Sequence, residues 1–365
     1  MQNGVVISLD GMGGDNAPEV VVEGAYMALR KYPDAKFIVF GDKEKIAPLV
    51  GKYKGLSQFV EVRHTPDKIS SDDKPSVALR AGRNSSMRLA IDAVAHGEAQ
   101  GIVSAGNTGA LMAISKFVLK VLPGVTRPAI ATYMPTKRAD KKVVMLDLGA
   151  NVDCDAKMLL EFGVLGGVFS REVLKVENPK IGILNIGSEA LKGNKNVQEA
   201  AELFEHAQHI PGQYIGFVEG DDIGSGEVDV VVTDGFTGNV SLKTMEGTAK
   251  LIVSIIKSIF TSSIFGKLAL ILFIPGLLLV LPSMFRVKKR IDPRSYNGAS
   301  LLGLKGLCVK SHGGTDSVGF ANAIGAAIEM ASNDFNKKVA QELEFINGKS
   351  ETSDSDDDFS EENNL

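Results

Sequence analysis

The sequence predicts an α/β fold built on a mostly parallel sheet covered on both faces. Short β-branched apolar runs alternate with stretches of helical spacing along most of the 365 residues, the pattern of a sheet interleaved with helices. The runs are apolar at successive positions, as strands buried on two sides are. Polar, glycine-rich loops follow several of them, and open α/β sheets hold ligands at the carboxyl ends of their strands.

The first strand, 5–9, ends in Asp10-Gly11-Met12-Gly13-Gly14-Asp15-Asn16-Ala17-Pro18. Glycines 11, 13 and 14 permit positive φ and a close approach to a ligand, and Pro18 suits the start of a helix over 19–32. Backbone N–H groups there can hold an anion. Strands are then expected at 36–40, 59–63, 101–104, 130–134, 143–146, 181–186, 214–218, 228–233 and 306–310. Helical spacing marks 77–98, 108–122, 155–174, 196–208 and 317–338. Four loops repeat the opening pattern after their strands: 104–110, 147–153, 185–194 and 234–239. All five are expected to converge on one sheet edge.

Composition narrows the setting. Cys154 and Cys308 are the only cysteines, and the first apolar run is broken by Asp10 without a basic start, so a reducing, cytosolic environment is expected. No cluster of Cys and His has zinc-ligand spacing, and neither a metal nor another cofactor is expected. The stretch 351–365 holds seven acids and no base, leaving 40 bases against 37 acids elsewhere, a net +3. The expected organisation is one α/β catalytic domain over 1–345, including a hydrophobic helical arm at about 240–292, with a disordered acidic tail at 349–365.

Read together, Asp10 to Asp15, Asp73-Lys74-Pro75-Ser76, Ser104 to Ala110, Asp147 to Cys154, Asn185 to Asn194, Phe217-Val218-Glu219-Gly220, Asp234 to Asn239 and His312-Gly313 resemble a known family. It is that of the phosphate acyltransferases, which make acyl phosphate from acyl-acyl carrier protein and inorganic phosphate. The resemblance implies a three-layer α/β/α sandwich like that of phosphate acetyltransferases and isopropylmalate dehydrogenases. It also implies a homodimer at the inner face of the membrane, with acyl carrier protein and phosphate as partners and no role for nucleic acid. Three positions depart from the family pattern: Gly11 stands where Ala is expected, Asn297 where Gly is, and Ser300 where Pro is. Asn297 can replace Gly by tolerating positive φ, whereas the loss of Pro at 300 leaves the path of that loop open.

Phosphate attacking a thioester needs a held dianion, a nearby acyl carbonyl and donors for the charge that grows on the carbonyl oxygen. Thiolate leaves readily, so positioning and fixed donors can supply most of the rate. Lys192, a point cation in a Gly-Asn loop, is the leading phosphate ligand. Ser104, Asn107, Thr108 and Asn185 are further phosphate candidates, and Asn239 and Thr237 can serve either the phosphate or the carbonyl oxygen. His312 can protonate the departing thiolate. Asp10, Gly13, Gly14, Asp15 and Asp234 are expected to brace the loops, with Asp10 or Asp15 as partners for Lys192. Cys154 is expected to be a small buried residue and not an acyl carrier.

The arm from Leu251 to Phe285 carries only Lys257 and Lys267 as charges and is followed by Arg286-Val287-Lys288-Lys289-Arg290. Pro275-Gly276 splits its uncharged part, so a helical hairpin is expected and a spanning helix is not. Phe273, Ile274, Leu277 and Leu278 at its tip are the expected membrane contacts, drawn to anionic lipid by the basic cluster. Lys137, Arg138, Lys141 and Lys142 are expected to help dock the acidic carrier. The rival functions are a coenzyme A-dependent short-chain phosphate acetyltransferase and a non-catalytic, membrane-recruited carrier-protein scaffold.

Overall fold

A computed structural model describes residues 4–207, 209–265, 276, 280–283, 294 and 297–353. The first part of the chain forms β1 (Val6–Asp10), α1 (Glu19–Lys31), β2 (Lys36–Gly41), α2 (Lys43–Lys52), β3 (Val60–His64), α3 (Pro75–Ala81), α4 (Ser86–Ala95), β4 (Gly101–Ser104), α5 (Thr108–Leu119) and β5 (Ala129–Pro135). The second adds β6 (Lys142–Leu146), α6 (Ala156–Leu174), β7 (Lys180–Leu184), α7 (Lys195–His206), β8 (Gln213–Val218), β9 (Val230–Val232) and α8 (Gly235–Thr261). It closes with β10 (Ala299–Leu302), β11 (Leu307–Lys310), α9 (Ser317–Ser332) and α10 (Phe335–Ser353).

The strands form one sheet in the order β3-β2-β1-β4-β11-β10-β5-β6-β9-β7-β8. Side chains alternate between its faces, and each face has its own core. Phe37 and Val39 of β2 join Val21 of α1, Phe162 of α6 and Phe320 of α9 on one side. Ile38 and Phe40 face the other side, with Ile91 of α4, Leu111 of α5 and, packed against them, Leu242 and Met245 of α8. Two helical layers thus sandwich the sheet.

Strand direction corrects the expectation of one convergent edge. β1, β2, β3, β4 and β11 run parallel, whereas β10 is antiparallel to both β11 and β5, and β5 is antiparallel to β6. β6, β9, β7 and β8 run parallel to one another. The carboxyl ends of β1, β4 and β11 therefore open at one edge, and those of β6, β9 and β7 at the opposite edge. The reversal follows from the short link 136–141 between β5 and β6, since a parallel pair needs a crossover of about a dozen residues or more.

Several elements differ from expectation. The stretch 77–98 is two helices, because the chain leaves α3 at Gly82 and Ser85 caps α4 by accepting from the Arg88 N–H. The stretch 317–338 breaks between α9 and α10, where Asp334 has φ +52°. β10 and α2 were not foreseen, the first amid glycines and the second carrying Pro48. Ser300, at the position without the expected proline, lies inside β10, paired with Val309 and Ala131. The membrane-contact residues Phe273, Ile274, Leu277 and Leu278, the basic cluster 286–290 and residues 354–365 of the expected 349–365 tail lie outside the described residues, whereas 349–353, expected to be disordered, are the end of α10.

Candidate active site

At the first edge, Asp10 is 1% exposed and accepts hydrogen bonds from Ser86 Oγ (2.6 Å) and Ser104 Oγ (2.7 Å). Burial pushes its carboxyl up, and these hydroxyls pull it back down. Gly13 is required there, since a Cβ would overlap the Asp10 carboxylate. Of the three glycines in that loop only Gly14 has positive φ, at +101°. Gly11 is needed for close packing instead, a Cβ standing 2.7 Å from the Phe40 carbonyl oxygen. Asp15 donates its backbone N–H to the Gly313 carbonyl at 3.0 Å, joining the loops after β1 and β11.

Two of the expected phosphate ligands are engaged in holding these loops. Ser104 is fully buried, donates to Asp10 and accepts the Gly106 N–H, so its hydroxyl braces the strand ends. Asn107 caps α5 by accepting the Ala110 N–H, and its amide donates to the carbonyls of Ser70, Ser71 and Asp73. Thr108 stands exposed in the first turn of α5. His312 is exposed on the loop after β11, where its backbone N–H donates to Asn297 Oδ1 at 3.0 Å. Its Nδ1 accepts the Gly314 N–H at 3.2 Å, which leaves the proton of the neutral ring on Nε2. The Asn297 amide also donates to Ser311 Oγ and Thr315 Oγ1. Positive φ falls on Gly298, at +117°, so Asn297 serves as a side-chain clamp and not as a glycine substitute.

Sequence reasoning missed Lys310. It is 9% exposed at the end of β11, donates to the Ala105 carbonyl at 3.4 Å and to that of Ser311, and is attracted by Asp10 and Asp15. The cation beside these acids is therefore Lys310, and the expected pairing with Lys192 does not occur. The register that sets Lys310 against the buried Ser104 was the missing signal.

At the second edge, fully buried Asp147 organises the loop after β6. One carboxylate oxygen accepts the N–H groups of Ile130, Gly149 and Ala150, and the other accepts both the backbone and the side-chain amide of Asn151. Burial pushes its carboxyl up against these five donors. Asp234 caps α8, accepting from the N–H and hydroxyl of Thr237, which occupies that hydroxyl in bracing. One turn on, Asn239 is exposed and lies over Gly149, whose Cβ would stand 3.7 Å from the Asn239 Cγ. Asn185, another expected phosphate ligand, donates to the Lys192 carbonyl at 3.0 Å and accepts the Ile186 N–H, which holds its loop.

Lys192 itself is exposed at this edge, as are Ile186 (81%) and Leu191 (91%) of its own loop, Val152 (66%) of the loop after β6 and Phe236 (64%) in the first turn of α8. Cys154, behind them, is buried, and burial pushes its thiol up to about 12. It is thus protonated near neutrality and a poor nucleophile. Among the described residues, no three His, Cys, Asp or Glu side chains are grouped to hold a metal ion.

Comparison with known proteins gives a consistent placement. A family described as "Fatty acid synthesis protein" matches residues 5–338. The chain is 55% identical to the phosphate acyltransferase of Rhodospirillum centenum over 337 residues, covering 92% of each. It is 50% identical to that of Rhodospirillum rubrum, covering 94% of this chain and 95% of the relative. In three dimensions it is similar to a phosphotransacetylase from Streptococcus pyogenes, with TM-score 0.62 and 16% identity, covering 91% of this chain and 95% of that one. A 4-hydroxythreonine-4-phosphate dehydrogenase from Klebsiella pneumoniae shares the fold at TM-score 0.52 and 14% identity, covering 91% and 98%.

Proposed function

The chain belongs to the phosphate acyltransferase family, enzymes of acyl transfer to phosphate in phospholipid synthesis, and we propose that its donor is a long-chain acyl-acyl carrier protein. One observation carries the choice of donor: the edge that bears Lys192 and Asn239 is rimmed by exposed Val152, Ile186, Leu191 and Phe236. A cation and an amide suit phosphate and a carbonyl oxygen, and the apolar rim suits a long acyl chain better than an acetyl group. Lys192 holds the phosphate dianion, Asn239 steadies the oxyanion, and Thr108 offers a hydroxyl at a helix start. Nε2–H of His312 donates a hydrogen bond to the departing thiolate, which takes up the proton released by the attacking hydrogen phosphate.

Lys192 and His312 stand at opposite edges of one sheet, so we assign the reaction to a homodimer in which one copy's β6–β9–β7 edge faces its partner's β1–β4–β11 edge. α8 supports association of some kind. Leu251, Ile252, Val253, Ile255, Ile256 and Ile259 on it are all more than half exposed. No helix among the described residues is long and apolar enough to cross a membrane, and we assign this run to the dimer contact and a peripheral, inner-face membrane contact. Within the expected carrier-docking group, Arg138 and Lys141 lie 3.7 and 3.6 Å from Glu227 and Asp229, and Lys142 sits over the Tyr133 ring. Exposed Lys137 is the member of that group we retain for docking.

Mixing the pure protein with long-chain acyl-acyl carrier protein and radiolabelled phosphate is expected to yield labelled acyl phosphate. Transfer from acetyl-coenzyme A alone would establish the short-chain rival. Carrier binding without any transfer would establish the scaffold.

A further inference from the structure

One buried charge has no part in the chemistry above. Lys310 lies between Ser104 of β4 and Ala299 of β10 in the sheet register, neither of which titrates. The charged and titratable groups around it are Asp10 from β1, Asp15 from the loop after β1, and the Cys308 thiol of its own strand. An ammonium withdrawn from water is costly unless it is paired and hydrogen-bonded, and an apolar side chain would fill the same space at less cost. What the ammonium adds is a tie: it donates to the Ala105 carbonyl after β4 and to the Ser311 carbonyl, immediately before His312. Asn297 holds the same loop from its other side, through the His312 N–H and the Ser311 hydroxyl.

We propose that Lys310 is a positioning residue for acyl transfer: its ammonium fastens the ends of β4 and β11, offsets Asp10 and Asp15, and so sets the loop that presents His312. The proposal rests on the assignment of His312 to the reaction. Burial brings the ammonium down to about 8, with Asp10 and Asp15 opposing the fall. The tie therefore loses its charge as pH rises through that value. Stability moves the other way, because a lysine whose folded pKa lies below its unfolded one favours the folded state increasingly as pH rises between them.

The test is the pH dependence of kcat, with phosphate saturating, in the wild type, Lys310→Met and Asp15→Asn. Wild-type kcat is expected to fall above pH 8, the value near which Lys310 titrates, while thermal stability holds. Asp15→Asn removes a charge that favours the ammonium, so the falling limb moves to lower pH. Lys310→Met lacks the limb and has kcat reduced about tenfold or more, with KM for phosphate nearly unchanged. A limb that is absent, or unmoved in Asp15→Asn, overturns the proposal, as does Lys310→Met with full kcat. The His312 ring resonance supplies a readout without turnover: a second titration step at the lysine's pH, absent in Lys310→Met, supports the tie, and a single unchanged step overturns it. An inactive wild type that retains the second step refutes the acyltransferase function and leaves the tie standing.

Discussion

The two edges of the sheet use the same local device, a strand that ends in a loop and then a helix, and fill it with opposite chemistry. At the β1–β4–β11 edge the charges are internal: Asp10 and Lys310 are at least nine-tenths buried and hold the loops together, leaving His312 outside. At the β6–β9–β7 edge the buried Asp147 is satisfied by neutral donors, and Lys192 is exposed on a loop that also exposes Ile186 and Leu191. A charge that is buried and paired positions other groups, whereas one left in reach of solvent can meet a ligand. In the proposed mechanism the two lysines have different work, and the difference lies in their surroundings.

The largest effect is expected from removing the exposed cation. Lys192→Met should lower kcat/KM for phosphate by about 10²–10³-fold, the size of losing one fixed electrostatic contact, with thermal unfolding unchanged. His312→Ala should lower kcat by about 10²-fold, and mixing the two inactive variants should restore activity if each site draws on both edges through two copies. Recovery no greater than the sum of the separate variants would place both edges' roles within single chains. Asp147→Asn comes next and acts on stability: replacing one acceptor oxygen by an NH₂ leaves donors unmatched, for about 2–3 kcal/mol in urea unfolding. Leu191→Ser with Phe236→Ser should raise KM several-fold for a long acyl donor and leave a short one unaffected; equal changes for both would remove the apolar rim from the acyl site. Cys154→Ala should alter turnover less than about twofold, because a thiol held protonated by burial forms no acyl intermediate.

Much of the fold was legible because it is local. Ten of the eleven strands among the described residues lie where β-branched runs place them, and the alternation of elements predicts the two-layered cover. The loops were legible as well, since Gly, Asn and Asp gather at strand ends for reasons of φ and capping. Their roles were less so. Ser104, Asn107 and Asn185 look like ligands in a list of polar residues, yet each turns its polar atoms onto neighbouring backbone or onto Asp10. Lys310 resembles an ordinary lysine at the end of an apolar run, and only its neighbours across the sheet make it a buried tie.

The first loop, Asp10 to Pro18, shows the division most clearly. By itself the sequence determined that a strand would end there in a glycine-rich turn into a helix, with acids suited to bracing, because dihedral freedom is a property of individual residues; the packing that requires Gly11 and Gly13 came from Phe40 and Asp10. Tertiary structure alone decided which cation those acids face and which edge they share. The link 136–141 turns the chain back on itself and reverses every later strand paired onto β6, so Lys192 was carried to the far edge while β11 brought Lys310 in beside β4. Strand order and direction depend on pairings between residues far apart in the chain, and local periodicity holds no record of them.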